Sequence, residues 1–140
     1  MKILVAADGS DYTPRILEFL AKQGWLSGEN ELTVLTVVMP FPGKAANFAD
    51  PEKVRKYYDD QAQVVLRAAD DWLRDRNMAS ITFAHEIGSP ADCIARRASE
   101  GHFDLIAMGA RGHGAADVPA PGSVAAKVQA LCKTPVVLVP

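Results

Sequence analysis

At 140 residues, with 49% hydrophobic and 23% charged side chains, the chain has the size and composition of one soluble globular domain able to bury about two thirds of its unfolded surface. A formal net charge of -2 excludes the basic field on which duplex DNA or RNA binding depends. The apolar run at residues 3–7 is too short for a signal-peptide core or a bilayer span, and Cys93 and Cys132 stand alone as two reduced, buried thiols of a cytoplasmic protein.

Residues 2–8, KILVAAD, form a continuous apolar run stopped by turn residues, which suits a strand covered by helices on both faces. Ser10 is placed to cap the next segment, where Pro14 falls in the first turn and Ile16, Leu17 and Leu20 recur at helical spacing until Gly24. Residues 31–38, ELTVLTVV, repeat the buried-strand pattern, and Pro40, Pro42, Gly43 and Pro51 punctuate the loop that follows. From Pro51 the helical spacing returns in Val54, Tyr58, Val65, Ala69, Trp72 and Leu73, which predicts a helix of roughly 25 residues, about 38 Å long.

Residues 80–87 alternate Ile81, Phe83, His85 and Ile87 with Thr82, Ala84 and Glu86, the period of a strand near a sheet edge. Ser89 as cap and Pro90 at the first position open a short helix that turns Ile94, Ala95 and Ala98 inward and ends at Gly101. A fourth strand is predicted at 103–108, a glycine-bearing loop at 109–122, a helix capped by Ser123 to about Leu131, and a last strand at 136–139. Strict βαβαβαβαβ alternation with right-handed crossovers gives one α/β domain over residues 1–140, an open parallel sheet with helices on both faces.

In such sheets a ligand sits beyond the carboxyl ends of the strands where strand order reverses, which selects the loops after strands one and four. The first is Ala7-Asp8-Gly9-Ser10; the second runs from Gly109-Ala110-Arg111-Gly112-His113-Gly114 to Gly122-Ser123. In the second, several backbone N–H groups can face one point and a helix begins at Ser123, which describes an anion cradle. An ordinary loop with glycines at its turns accounts for the same residues.

Glycine, two residues, glycine, nine residues and then Gly-Ser resembles the nucleotide loop of ATP-binding universal stress proteins, and Gly109, Gly112, Gly122 and Ser123 match it. The similarity extends over nearly the whole chain, through KILVAADGSD, GSPADCIARRASEGHFDLIAMGARG and GSVAAKVQALCKTPVVLVP. The resemblance implies a Rossmann-like sheet of five parallel strands in the order 3-2-1-4-5 and a homodimer formed through the last strand, Val136 to Val139. It also implies ATP with Mg²⁺ as cofactor, AMP or ADP being the alternatives. Gly109, Gly112, Gly122, Ser123 and Val124 would surround the phosphates, Ala7 and Asp8 would lie beside ribose and adenine, and Val37 would touch adenine.

Each of these residues also has a plainer reading. Asp8 can bond loop N–H groups at the strand end, Val37 is expected in the core, and Arg111 is either a phosphate partner or a solvated surface arginine. His85, His102 and His113 fall in no catalytic constellation. Residues 117–121, Asp-Val-Pro-Ala-Pro, depart from the larger apolar or basic residues usual in the family: Pro119 and Pro121 remove two N–H donors and Asp117 adds a negative charge, which predicts weakened nucleotide affinity or its outright loss.

The phosphate-loop pattern GxxxxGK[ST] and the dinucleotide fingerprint are both absent, and no Ser/His/Asp or Cys/His set presents itself. The function implied is therefore an adenine-nucleotide-binding regulatory module of the stress response, with no nucleic-acid or membrane partner. A nucleotide-free interaction protein of the same fold and a slow ATPase or autophosphorylating enzyme, with Ser123 or Ser10 as acceptor, are the alternatives.

Overall fold

The computed structural model describes residues 1–40, 50–76, 79–110 and 122–140. Nine elements alternate along the chain: β1 (Lys2–Ala6), α1 (Tyr12–Lys22), β2 (Glu31–Val38), α2 (Pro51–Leu73), β3 (Ser80–Ile87), α3 (Pro90–Glu100), β4 (Leu105–Gly109), α4 (Ser123–Leu131) and β5 (Val136–Val139). The strands form one sheet in the order β3-β2-β1-β4-β5, every pair parallel. This is the architecture expected from the resemblance, with β3 at one edge.

Both faces are covered because neighbouring residues of a strand point to opposite sides. Ile3 and Val5 of β1, Leu32 and Val34 of β2 and Leu105 and Ala107 of β4 join Ile16, Leu17 and Leu20 of α1 and Leu66, Ala69 and Leu73 of α2 in one buried cluster. Their neighbours Leu4, Leu35, Ile106 and Met108 face the other way, onto Ala91, Ile94 and Ala98 of α3 and Ala125 and Val128 of α4. The continuous apolar runs of β1 and β4 are thus required by two layers of helix, not one.

Several boundaries differ from expectation for local reasons. β1 closes at Ala6, although the Ala7 N–H still donates to the Leu35 carbonyl at 2.8 Å, so hydrophobicity outlasts the strand. β4 begins at Leu105 because Asp104 is engaged with Lys2: its N–H donates to the Lys2 carbonyl at 2.8 Å and its carboxylate accepts from the Lys2 N–H at 2.7 Å. Helix α1 starts at Tyr12 with Asp11 at the N-cap and no side-chain cap bond; the Ser10 hydroxyl instead accepts from the Tyr12 N–H at 3.2 Å. Helix α2 is capped by Asp50, whose carboxylate accepts from the Glu52 N–H at 2.9 Å ahead of Pro51 in the first turn.

Ser89 holds the N-cap position of α3 without a side-chain bond, and α4 is preceded by Gly122 as N-cap, so Ser123 is its first helical residue and not its cap. Both cysteines are free; Cys93 is buried, whereas Cys132 is half-buried and not the second buried thiol expected. Among the described residues no helix is long and apolar enough to cross a membrane.

Candidate functional site

β1 and β4 are neighbours, but β1 continues through α1 toward β2 while β4 continues through α4 toward β5, so a crevice opens beyond their carboxyl ends. A cavity of about 360 Å³ occupies it. Its floor is the ends of three strands: Ala6 of β1 with Ala7 and Asp8 after it, Leu35, Val37 and Met39 along and beyond β2, and Met108 and Gly109 of β4. Tyr12 and Ile16 of α1 wall one side, Pro90 and Ile94 of α3 another, and Gly122, Ser123, Val124 and Ala125 at the start of α4 a third.

Seven of the nine residues singled out from the sequence therefore line one cavity: Ala7, Asp8, Val37, Gly109, Gly122, Ser123 and Val124. Arg111 and Gly112 lie outside the described residues, as do Asp117, Pro119 and Pro121. Val37 departs from its expected core position. It packs against the α3–α4 core cluster yet is only half-buried, because one side of it faces the cavity.

The two candidate loops are built differently. In the first, the Asp8 carboxylate accepts from the Ser10 N–H at 2.9 Å and from the Ser10 hydroxyl, which locks the turn that leads into α1. In the second, the Gly122 N–H donates to the Ala110 carbonyl at 2.8 Å, and the Ala110 N–H donates to the Val139 carbonyl at 2.8 Å. Ala110 and Gly122 are thereby bonded to each other, and Ala110 is anchored to β5. Glycine is demanded at 122, since a Cβ there would sit 2.9 Å from the Ala110 oxygen. Beyond that bond Ser123 is exposed at the first turn of α4, where the helix dipole favours an anion.

Apolar side chains dominate the wall, and Asp8 is the one charged residue among the described lining residues. Such a surface suits a flat hydrophobic body held by a few polar groups. Next to it on β3, Glu86 stands in register with Val37 and meets Arg96 and Arg97 of α3, with its Oε2 2.7 Å from the Arg97 Nε. Burial pushes the Glu86 carboxyl up, but the bonds and charges of Arg97 and Arg96 outweigh it and hold the group below the ordinary carboxylate value. This cluster ties α3 to the sheet edge. Among the described residues no group of three or more His, Cys, Asp or Glu side chains is placed to hold a metal ion. His85 does have a partner that the sequence concealed, Asp59 of α2 at 3.4 Å, away from the cavity lining.

Sequence reasoning missed Tyr12, Ile16, Met39, Pro90, Ile94 and Met108 in the lining. Met39 carried a usable signal: Leu35, Val37 and Met39 share one side of an extended chain by their two-residue period. Pro90 and Ile94 come from the opposite layer, and only the strand order brings them over β1.

The profile of the universal stress protein family matches residues 1–140. The chain belongs to the universal stress protein family. The structural relatives agree on the fold. UspA of Lactobacillus plantarum is 23% identical with a TM-score of 0.75, the match covering 100% of this chain and 97% of that one. A universal stress protein of Archaeoglobus fulgidus in complex with dAMP is 24% identical with a TM-score of 0.70, covering 100% and 98%. A family member of Arabidopsis thaliana with AMP bound is 18% identical with a TM-score of 0.69, covering 99% and 90%. No curated protein sequence matches the chain.

Proposed function

We propose that this universal stress protein is an adenine-nucleotide-binding regulatory module of the stress response, working as a cytoplasmic homodimer joined through β5. The observation that carries the reading is the meeting of Ala7, Asp8, Val37, Gly109, Gly122, Ser123 and Val124 around one apolar cavity at the sheet's reversal point. The dAMP and AMP complexes of relatives with this fold support the same ligand class.

The chemistry of the wall fits that class in two parts. An adenine ring matches the apolar floor made by Val37, Leu35 and Met39, while the start of α4 with the Ser123 hydroxyl matches a phosphate. ATP is the proposed ligand, with AMP or ADP able to use the same surfaces, and Mg²⁺ would reach the site on the phosphates. The residues assigned to phosphate are Gly109, Gly122, Ser123 and Val124, joined by Gly112 and Arg111 from the sequence pattern. With Asp8 bonded to Ser10, its role is to shape the turn beside the ribose.

Thermal melting with millimolar Mg-ATP, Mg-AMP and Mg-GTP tests the proposal. A ligand at a hundred times its dissociation constant stabilises by about 2.7 kcal/mol, which is several degrees for a domain of this size. Shifts with the adenine nucleotides and not with Mg-GTP are expected. Unmoved melting with all three would refute nucleotide regulation and leave the fold as a protein-interaction module.

A further inference from the structure

The cavity has an electrostatic asymmetry. The one charged residue among its described lining residues, Asp8, is negative, whereas the proposed ligand ends in an anion. Beside this wall stands Arg15, exposed, its guanidinium carbon 5.2 Å from the centroid of the Tyr12 ring. Tyr12 itself lines the cavity, and so does Ile16 one turn further on. At about 100° per residue, Arg15 lies roughly 60° around the helix from Tyr12, on the flank of the cavity-facing side. Among the described residues no carboxylate forms an ion pair with Arg15.

The placement of α1 decides which end of a ligand this arginine meets. Helix α1 shares the buried cluster with Leu32 and Val34 of β2, but its main strand contacts are with β4 and β5, the side of the crevice where Gly109 and Gly122 lie. A cation supported on Tyr12 therefore borders the half of the cavity assigned to phosphate. The aromatic face holds the guanidinium by cation–π attraction while leaving its N–H donors available to an anion, which a carboxylate partner would not.

We propose that Arg15, positioned on the Tyr12 ring, is a binding residue for the outer phosphates of the nucleotide, so that it sets the preference of the site for ATP over AMP. The inference rests on the nucleotide reading above. Neither residue belongs to the glycine loop; the fold brings Tyr12 to the cavity lining, and Arg15, itself outside that lining, stands beside it on the Tyr12 ring.

The experiment is calorimetric titration of adenosine, AMP and Mg-ATP into the wild-type protein and the Arg15→Gln variant. Arg76→Gln serves as the charge control: Arg76 also covers an aromatic ring, Trp72 at 4.5 Å, but that ring, unlike Tyr12, does not line the cavity. Arg15→Gln is expected to leave adenosine within twofold, weaken AMP about twofold and weaken Mg-ATP about fivefold, with the Mg-ATP loss shrinking in 0.5 M salt. Arg76→Gln is expected to change none of the three. Tyr12→Leu should reproduce the graded loss in part, because the guanidinium loses its platform. Equal weakening of all three ligands, or none, by Arg15→Gln would overturn the assignment while leaving the nucleotide reading intact. A wild-type protein that binds none of them would overturn both.

Discussion

Substitution of Gly122 by alanine tests how the cavity is framed. The new Cβ would lie 2.9 Å from the Ala110 carbonyl oxygen and 3.4 Å from the Ala125 Cβ, where 3.4 Å is the onset of ordinary contact. The oxygen cannot swing aside like a side chain, because the Ala110 N–H is bonded to Val139 at 2.8 Å. The pair must therefore part by about 0.5 Å (3.4 less 2.9), and the Gly122 to Ala110 bond, now 2.8 Å, stretches toward 3.3 Å, beyond the normal N–H···O range. Weakening that bond costs about 1 kcal/mol, and residual crowding brings the total to roughly 1.5 kcal/mol. At about 3 to 4 °C per kcal/mol for a chain of this length, calorimetry should show a melting temperature lowered by about 5 °C. Because the same movement shifts the start of α4, the stabilisation by Mg-ATP should also fall. An alanine variant melting within a degree of wild type, with an unchanged nucleotide shift, would refute the view that the bond between Gly122 and Ala110 frames the site.

Three further outcomes follow from the packing. Ile106→Ala, at a fully buried position on β4 facing the α3–α4 layer, should cost about 2–5 kcal/mol by urea titration with little change in slope. Glu86→Gln should cost about 1 kcal/mol at pH 7, and the cost should depend on pH with a definite sign. The folded value of Glu86 is depressed, so its contribution is complete above the unfolded value of 4.5 and is lost as pH falls through the lower folded value; variant and wild-type stability curves should converge in acid. Leu138→Lys places a charge on a side chain 39% exposed on β5, an edge strand of the described sheet; if the wild type dimerises through β5 as proposed, light scattering should show dimers for it and monomers for the variant.

Much of the fold was legible because the strands are covered on both faces and so appear as unbroken apolar runs. Ile3, Leu4 and Val5 of β1 and Leu105, Ile106, Ala107 and Met108 of β4 are buried between the two layers, and a sequence has few other reasons to hold such residues together. The strand order was legible only through family resemblance, since alternation is compatible with more than one way of winding a parallel sheet. Helix starts were misread where a side-chain oxygen had two uses. Ser10 serves the Asp8 turn as well as the Tyr12 N–H, and Ser123 stands one residue inside its helix because Gly122 is held against Ala110. For the site, the glycine spacing marked the α4 side and the strand ends marked the floor. Tyr12 and Ile94 were hidden because their helical spacing reads as ordinary amphipathic packing, and only the layer arrangement turns those faces toward the crevice.

The same hydrogen bonds limit what the prolines at 119 and 121 can do. Three bonds at the β4–α4 side of the cavity are made by described residues: Ala110 is bound to β5, Gly122 is bound to Ala110, and the Ala126 N–H donates back to the Gly122 carbonyl at 3.1 Å as α4 begins. Neither proline contributes a donor or acceptor to these three bonds. Their certain chemical effect is to remove two N–H groups from the stretch that the family resemblance assigns to phosphate. The apolar floor at Leu35, Val37 and Met39, and the Ser123 hydroxyl, are untouched by that loss. If the chain binds nucleotide as proposed, comparison with a relative lacking these prolines should show affinity given up in the phosphates and retained in the base.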